Sequence, residues 1–208
     1  MRLYHHPMSL NARRAVLTAL QLDAPVELAF VDLRAQENLK PQFLQMNPNH
    51  RVPVLVDGDF QLWESRAIMQ YLADKTPRQT IYPTDVRARA DVNRWLFWCS
   101  QHFTPAIGIL NWENFVKPMI GRGGPDPLEV KRGETLLAEF ATVLDAHLAS
   151  REWICGSALT LADLSIAAAL GCAGPAKAPV AQYANLQKWF GSMQRLEAWK
   201  KTATGAAA

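Results

Sequence analysis

Ser9 is the first residue whose type and position suggest chemistry, because its hydroxyl stands where a predicted strand gives way to a predicted helix. A hydroxyl at a helix N-terminus can donate a hydrogen bond to a thiolate, and that bond together with the helix dipole lowers the pKa of the thiol. Asn11 could make the same contact, and either residue could act only as a helix cap. The sequence has no cysteine before Cys99, so the sulfur would have to arrive with a ligand.

Glu64 and Ser65 form a second candidate pair, at a junction between a predicted strand and a predicted helix. Ser65 can cap that helix, and a helix N-terminus also attracts anions through its N–H groups and its dipole. Glu64 could pair with an ammonium group. Together the two residues would recognise the carboxylate and the ammonium of an α-amino acid.

The segment that holds these candidates reads as strands and helices in the order β-α-β-α-β-β-α. Alternating or β-branched apolar runs predict the strands, helical spacing predicts the helices, and Asp57-Gly58-Asp59 predicts a hairpin turn. The predicted strands are 2–4, 26–33, 52–56 and 60–63, and the predicted helices are 12–22, 41–46 and 65–76. A βαβ unit followed by a ββα unit indicates a small mixed sheet with helices on its faces, which is the α/β thioredoxin-like arrangement.

Pro53 should lie at the start of its strand, because a proline in mid-strand forfeits a ladder hydrogen bond. In thioredoxin-like folds the corresponding Val-Pro bond is cis and faces the active site. That geometry would leave the main-chain N–H and C=O of Val52 free to pair with an extended peptide ligand. The alternative is an ordinary trans proline at a strand start.

The rest of the chain has helical periodicity almost throughout. Long amphipathic stretches at 85–103 and 128–150 flank a Gly/Pro-rich loop, and Thr160 with Asp163 predicts a capping box at the start of a further helix. The segment before them contains two prolines and no periodicity, which is typical of a linker. We therefore predict a thioredoxin-like domain at 1–77, a linker at 78–85 and an all-α domain at 86–208.

The composition is that of an ordinary globular protein and disfavours several classes of function. Of the 208 residues 49% are apolar and 20% are charged, and the net charge of +3 is scattered rather than gathered into a nucleic-acid-binding stripe. Neither GxGxxG nor GxxxxGK[ST] occurs, and the histidines and three cysteines lack the spacing of a metal site. No apolar run is long enough to span a membrane. We expect a cytoplasmic protein with no metal, no nucleic acid and no membrane partner.

An aromatic-rich stretch in the helical half could line an apolar pocket for a hydrophobic substrate. Aromatic residues at helical spacing are equally often plain core, so each member has that alternative. The candidates are Trp98, Phe103, Ile107, Trp112 and Phe115.

The segments HPMSLNARRAVLTAL and NPNHRVPVLVDGDFQLWESRAIMQYLAD resemble the cytosolic glutathione transferase family, in particular its serine-dependent branches and most of all the phi class. The likeness covers nearly the whole chain, because LTLADLSIAAAL resembles the family's C-terminal helical domain. The resemblance implies that Ser9 activates the sulfur of glutathione and that Val52, beside a cis Pro53, pairs with its cysteinyl main chain. It further implies that Glu64 and Ser65 hold the γ-glutamyl end.

Two positions depart from the phi pattern. Many phi members have a His-Lys pair where this chain has Asn38 and Leu39, with Lys40 one place later. Lys40 or Arg51 would therefore bind the glycyl carboxylate of glutathione. Arg51 occupies a position where glutamine is common in the family. The sequence also has Asn49-His50 where members with a lock-and-key dimer carry an aromatic residue, so the expected homodimer would use a different contact.

The resemblance implies a detoxifying transferase that joins the thiolate of glutathione to a small hydrophobic electrophile, with glutathione as co-substrate and no further cofactor. A non-catalytic module that binds ligands or proteins on the same fold is the first alternative. A glutathione-dependent peroxidase is the second, since it needs only the same thiolate. A reductase that uses its own cysteine is disfavoured, because serine occupies position 9.

Overall fold

The computed structural model describes residues 1–202, which form two compact units. The first unit contains residues 1–82 together with 195–202, and the second contains 83–194. The linker predicted at 78–85 is divided between the two units, and residues 195–202, which were predicted to belong to the helical domain, group with the first unit.

The first unit is a four-stranded mixed sheet with helices on both faces, which confirms the predicted thioredoxin-like class. Strand β1 pairs in parallel with β2 and antiparallel with β3, and β3 pairs antiparallel with β4, so the strand order is β2-β1-β3-β4. Its elements are β1 (Arg2–His5), α1 (Leu10–Gln21), β2 (Glu27–Phe30), α2 (Pro41–Met46), β3 (Val54–Asp57), β4 (Phe60–Trp63), α3 (Ser65–Lys75) and α10 (Glu197–Lys201).

The two faces of the sheet carry separate hydrophobic clusters, because successive side chains of a strand point to opposite sides. Leu3 and Leu55 are fully buried and pack with apolar residues of α1 and α3. The neighbouring position Val54 belongs to a second cluster, in which Val31 and Phe43 of α2 also lie. Residues of β1 and β3 thus contribute to the core on both faces of the sheet.

Two strand boundaries differ from the sequence prediction for local reasons. Strand β2 ends at Phe30 rather than at residue 33, because the Asp32 carboxylate accepts hydrogen bonds from the N–H groups of Arg34 and Ala35 and turns the chain. Strand β3 begins at Val54 rather than at residue 52. Pro53 immediately precedes it, as predicted, and the Val52–Pro53 bond is cis.

Helix α10 completes the first unit by packing on α1 through a pair of aromatic and cationic side chains. The Arg13 guanidinium lies 3.9 Å from the centre of the Trp199 ring, and its Nε donates a hydrogen bond of 3.2 Å to Oγ1 of Thr202. Both Arg13 and Trp199 are buried. The first unit is therefore discontinuous in sequence.

The second unit is entirely helical. Its elements are α4 (Val86–Trp98), a π-helical segment (Cys99–Phe103), α5 (Thr104–Asn111), a second π-helical segment (Trp112–Val116), α6 (Lys117–Met119), α7 (Pro127–Leu148), α8 (Leu161–Leu170) and α9 (Ala184–Arg195), whose last residue belongs to the first unit. Among the residues that the structure describes, no helix is long and apolar enough to cross a membrane.

Residues 86–119 form one helical run, which the sequence analysis ended at residue 103. Each π-helical segment lies just before a proline, Pro105 or Pro118, at the second position of the following α-helix. A proline inside a helix lacks an N–H donor, and its ring crowds the carbonyl four residues earlier. The wider turn accommodates that missing bond, so the helix continues where a proline would otherwise end it.

Asp163 lies at the centre of a buried hydrogen-bond network at the start of α8. Its carboxylate accepts bonds of 2.9 to 3.0 Å from the main-chain N–H groups of Ile154 and Thr160, from Oγ1 of Thr160 and from Nε1 of Trp189. The capping box predicted for Thr160 and Asp163 is confirmed. The network joins α8, α9 and the loop before α8.

Gly133 marks the point where α7 crosses α5. A Cβ atom at this position would lie 2.9 Å from Cδ2 of Leu110 and 3.1 Å from Cγ2 of Ile109. Gly133→Ala should therefore lower the free energy of unfolding by about 1 kcal/mol, because overpacking outweighs the gain in helix propensity. Gly108→Ala in α5 is the matched control, since its Cβ would meet nothing within 4 Å. Urea unfolding that shows Gly133→Ala to be as stabilising as Gly108→Ala would contradict this account.

Candidate active site

Ser9 lies between the end of β1 and the start of α1 and is the N-cap of that helix. Its Oγ accepts a hydrogen bond of 3.2 Å from the N–H of Ala12, and the residue is half-buried. The predicted capping role is thus present in the structure. Because the cap uses Oγ as an acceptor, the hydroxyl proton stays available for donation, and within residues 1–202 the hydroxyl donates no hydrogen bond.

The Val52–Pro53 step is buried and lies at the start of β3. Within residues 1–202 the main-chain N–H and C=O of Val52 form no hydrogen bond. Buried or half-buried main-chain groups of this kind usually have a partner. An extended peptide could therefore form main-chain hydrogen bonds with these two groups, as a strand added to a sheet does.

Glu64 and Ser65 occupy the turn from β4 into α3, but their capping roles differ from the prediction. Glu64 is the N-cap and Ser65 is the first helical residue, and no side chain caps this helix by a hydrogen bond. The expectation that Ser65 is the N-cap was therefore wrong by one residue. The first turn of α3 consequently keeps its capacity to bind an anion.

Glu64 also has an unusual backbone conformation. Its φ is 74° and its ψ is 109°, which a residue with a side chain rarely adopts. Such conformations cost about 1–3 kcal/mol and cluster at sites of binding or catalysis. Here the conformation leaves the Glu64 side chain exposed while Ser65 is buried beside it.

The sheet topology brings these three motifs to one edge. Because β1 is antiparallel to β3, the carboxyl end of β1, which leads to Ser9, lies beside the start of β3 at Val52. Because β3 is antiparallel to β4, the end of β4 at Glu64 lies there as well. The sheet therefore presents a hydroxyl, an unpaired main-chain segment, a carboxylate and a helix N-terminus at the same edge.

The residues proposed for the glycyl end lie in a loop held by two asparagines. Nδ2 of Asn38 donates to the carbonyl oxygen of His50 at 2.9 Å, and Nδ2 of Asn47 donates to that of Arg51 at 2.8 Å. Nζ of Lys40 forms an ion pair of 3.3 Å with Glu37. Arg51 is exposed, and its side chain contacts no partner in the described part of the chain. Buried Asn47 was missed by the sequence analysis.

His5 and His6 lead into Ser9 and are both partly buried. Burial lowers the pKa of each, with His6 adding to the effect on His5. Nδ1 of His6 accepts a hydrogen bond of 3.2 Å from the N–H of Met8, and its ring packs 5.4 Å from that of Phe30. These packing and hydrogen-bond contacts shape the loop before Ser9.

The aromatic candidates of the second unit divide into core and partly exposed residues. Phe103 and Ile107 are fully buried, so they present no surface to a ligand and serve as core residues. Trp98 is half-buried and stacks on Phe103 at 5.6 Å. Trp112 is 39% exposed and Phe115 is half-buried. A pocket role stays a prediction for Trp98, Trp112 and Phe115.

Arg14 and Asn47 were not among the predicted site residues. Arg14 contacts this edge from the protein interior, and Asn47 shapes one of its loops. Nη1 of Arg14 reaches Oγ of Ser65 at 3.5 Å, and Asn47 holds the loop described above. The available signal for Arg14 was a charged residue at a helix position that should face the core. Across residues 1–202 no group of three or more His, Cys, Asp or Glu residues could hold a metal ion.

Comparisons with known proteins identify the family of the chain. The model of the glutathione S-transferase N-terminal domain matches residues 1–74, and that of the C-terminal domain matches residues 104–197. A delta-class glutathione transferase from Nilaparvata lugens is 31% identical, with a TM-score of 0.84 over 98% of this chain and 95% of that chain.

Two plant structures are similarly close. Glutathione transferase F7 from Populus trichocarpa is 29% identical, with a TM-score of 0.89 over 97% of both chains. Glutathione S-transferase I from maize, in complex with an atrazine glutathione conjugate, is 27% identical, with a TM-score of 0.87 over 97% of this chain and 95% of that chain. These neighbours are consistent with the likeness to the phi class. The chain belongs to the glutathione transferase family.

Proposed function

We propose that this transferase binds glutathione at the sheet edge, activates its thiol through Ser9 and joins the sulfur to a small hydrophobic electrophile. The observation that carries the proposal is the convergence of Ser9, Val52 and Glu64–Ser65 at one edge of the sheet. The maize relative was solved with a glutathione conjugate, which supports the same class of product here.

Glutathione has groups that match each part of this edge. Its cysteinyl main chain would pair with the unpaired N–H and C=O of Val52. Its γ-glutamyl carboxylate would lie at the N-terminus of α3 beside Ser65, and its ammonium would pair with Glu64. The thiol would then lie near Ser9, where the hydroxyl can donate to the sulfur without losing its capping bond.

The chemical step needs only a deprotonated sulfur and two reactants held together. The thiol proton leaves to solvent as the Ser9 hydroxyl stabilises the thiolate. The thiolate then forms a carbon–sulfur bond, and the electrophile either loses a leaving group with its electron pair or takes up a proton after addition to a double bond. Binding both reactants makes this encounter effectively intramolecular.

The decisive experiment is an ultraviolet titration of the thiolate absorbance of glutathione bound to the protein, with S-methylglutathione as the blank. We expect the pKa of the bound thiol to fall well below about 8.5, the reference value for a cysteine thiol. A panel of aryl halides, activated alkenes and hydroperoxides then separates conjugation from peroxide reduction. An unshifted pKa, or no turnover of any of them by folded protein, would instead support a binding module.

Arg51, rather than Lys40, is proposed to bind the glycyl carboxylate. Lys40 already pairs with Glu37, whereas the Arg51 guanidinium is exposed and adjoins Val52. Arg51→Ala should raise the KM for glutathione about tenfold with little change in kcat, because a charge-assisted hydrogen bond contributes about 1.5–3 kcal/mol. Lys40→Ala is the matched control and should change the KM less than about twofold. Steady-state kinetics with the two effects reversed would assign the carboxylate to Lys40.

We also propose that the enzyme is a cytoplasmic homodimer with a role in detoxification, as the family resemblance implies. The edge strand β4 exposes Phe60 and Trp63, and α4 exposes Phe97. Exposed aromatic residues of this size are typical of surfaces that a second subunit covers. Sedimentation equilibrium measures the mass, and a mass of a single chain at micromolar concentration would contradict the dimer.

A further inference from the structure

Arg14 is a buried positive charge that the mechanism above does not use. It lies in α1 and its side chain is 0% exposed. Arginine stays protonated in proteins, so α1 holds a permanent cation away from solvent. Removing a charge from water is costly, and an apolar side chain of similar size would avoid that cost. The position therefore indicates a task that depends on the guanidinium group.

The guanidinium joins the first turns of two helices. Its Nη1 donates to Oδ1 of Asn11, one turn earlier in α1, and lies 3.5 Å from Oγ of Ser65 at the start of α3. Both helix N-termini lie at the edge of the sheet where we propose that glutathione binds. Arg14 thus contacts two candidate binding residues from the interior of the protein.

Each contact occupies an acceptor and leaves a donor for a ligand. Because Oδ1 of Asn11 accepts from Arg14, the Nδ2 amino group of this exposed residue is turned away from the guanidinium. Because Oγ of Ser65 accepts from Arg14, its O–H can be donated elsewhere. The thiolate and the γ-glutamyl carboxylate of glutathione both accept hydrogen bonds. Nδ2 of Asn11 and the O–H of Ser65 are therefore donors of the kind that these two groups need.

We propose that Arg14 is a positioning residue for glutathione, which turns the donor groups of Asn11 and Ser65 toward the thiolate and the γ-glutamyl carboxylate. This inference rests on the proposed function, because it requires glutathione at this edge. The permanent charge acts in addition through the low-dielectric interior, where it strengthens the attraction that the two helix N-termini already exert on anions. One buried residue thereby acts on both parts of the site that would bind a negatively charged group of glutathione.

Arg13 provides a matched control in the same helix. It is the adjacent residue, has the same side chain and is 7% exposed. Its guanidinium lies over the ring of Trp199 and donates to Thr202, in contacts that belong to α10. Replacing Arg13 removes a nearly buried guanidinium from α1 but leaves the contacts to Asn11 and Ser65 in place.

The test compares Arg14→Met, Arg14→Lys and Arg13→Met in the full chain, after circular dichroism has shown that each is folded. Arg14→Met should raise the pKa of the bound glutathione thiol by about one unit and weaken binding of S-methylglutathione about tenfold, since both acceptors lose a charged donor. Arg14→Lys keeps the charge but lacks the planar fork, so it should lose part of both effects. Arg13→Met should change neither value, although its thermal stability should fall.

A folded Arg14→Met protein with wild-type thiol pKa and wild-type affinity would overturn the inference. Failure of the wild-type protein to bind glutathione would overturn the proposed function, which is a distinguishable result. If neither Arg14 variant folds, the nitrogen-15 resonances of the wild-type Arg14 guanidinium decide the question. They should shift when S-methylglutathione is added, and resonances that stay unmoved at saturation would refute the positioning role.

Discussion

Ser9→Ala is expected to lower kcat for glutathione conjugation about a hundredfold. This is the effect of removing one preorganised hydrogen-bond donor from a negatively charged group, here the thiolate of glutathione. The Ser9 hydroxyl contributes to the stability of the thiolate rather than to the binding of the tripeptide, most of whose polar groups would contact Val52, Glu64 and Ser65. The KM for glutathione should therefore change by less than about threefold. Steady-state kinetics and the thiolate titration measure the two parts of this prediction separately.

A control is needed because Ser9 also caps α1. Losing the bond from the Ala12 N–H should cost about 1 kcal/mol of stability, whether or not the hydroxyl has a chemical role. Asp85→Ala removes an equivalent cap, in which the carboxylate accepts from the N–H of Ala88 at 2.9 Å at the start of α4. It should lower stability similarly and leave kcat unchanged. Equal loss of kcat in both variants would show that Ser9 is only a cap.

Asp163→Ala is expected to lower the free energy of unfolding by about 3–5 kcal/mol. The substitution would leave the N–H groups of Ile154 and Trp189 and both donors of Thr160 without their acceptor inside the protein. Burial raises the pKa of the Asp163 carboxyl, and the donated hydrogen bonds oppose that shift. The melting temperature should fall by roughly 10 °C, as measured by calorimetry.

Asp163→Asn separates the loss of hydrogen bonds from the loss of shape. The amide fits the same space, but one of its two acceptors becomes a donor that faces another donor. We expect it to lose most of the stability that the alanine variant loses. Asp126→Ala, which removes the cap of α7 at an exposed site, should cost only about 1 kcal/mol. A loss of that small size in Asp163→Ala would mean that the buried network contributes little.

The sequence predicted the first unit well because local signals and topology agree there. Three local signals limit the possible sheet topologies, namely the Asp-Gly turn, the apolar alternation and Pro53. The few topologies that satisfy all three place Ser9, Val52 and Glu64 at one edge of the sheet. The capping position of Ser65 was wrong by one residue, because a non-glycine residue with positive φ at Glu64 has no clear sequence signal. Such conformations depend on the surrounding structure.

The second unit was less predictable, because its decisive features are not periodic. The sequence predicted a helical stretch that ends at residue 103, yet a π-helical segment carries the helix on past Pro105. Phe103 and Ile107 are of the apolar type that lines pockets, but they lie in the core. Residue type does not separate these two roles, because the difference depends on packing. Arg14 was missed for the converse reason, since hydropathy predicts that an arginine faces solvent.

The discontinuity of the first unit has a consequence for the order in which the protein is made. A ribosome produces residues 1–82 first, and residues 195–202 follow only after the whole of 83–194 has been synthesised. At about 5–20 residues per second that interval is roughly 6–22 s. During this time Arg13 has no Trp199 ring over it, so the surface of α1 that α10 later covers is exposed. Of the two units, the one whose synthesis starts earlier is thus completed later, and a chaperone that acts on it would act within that interval.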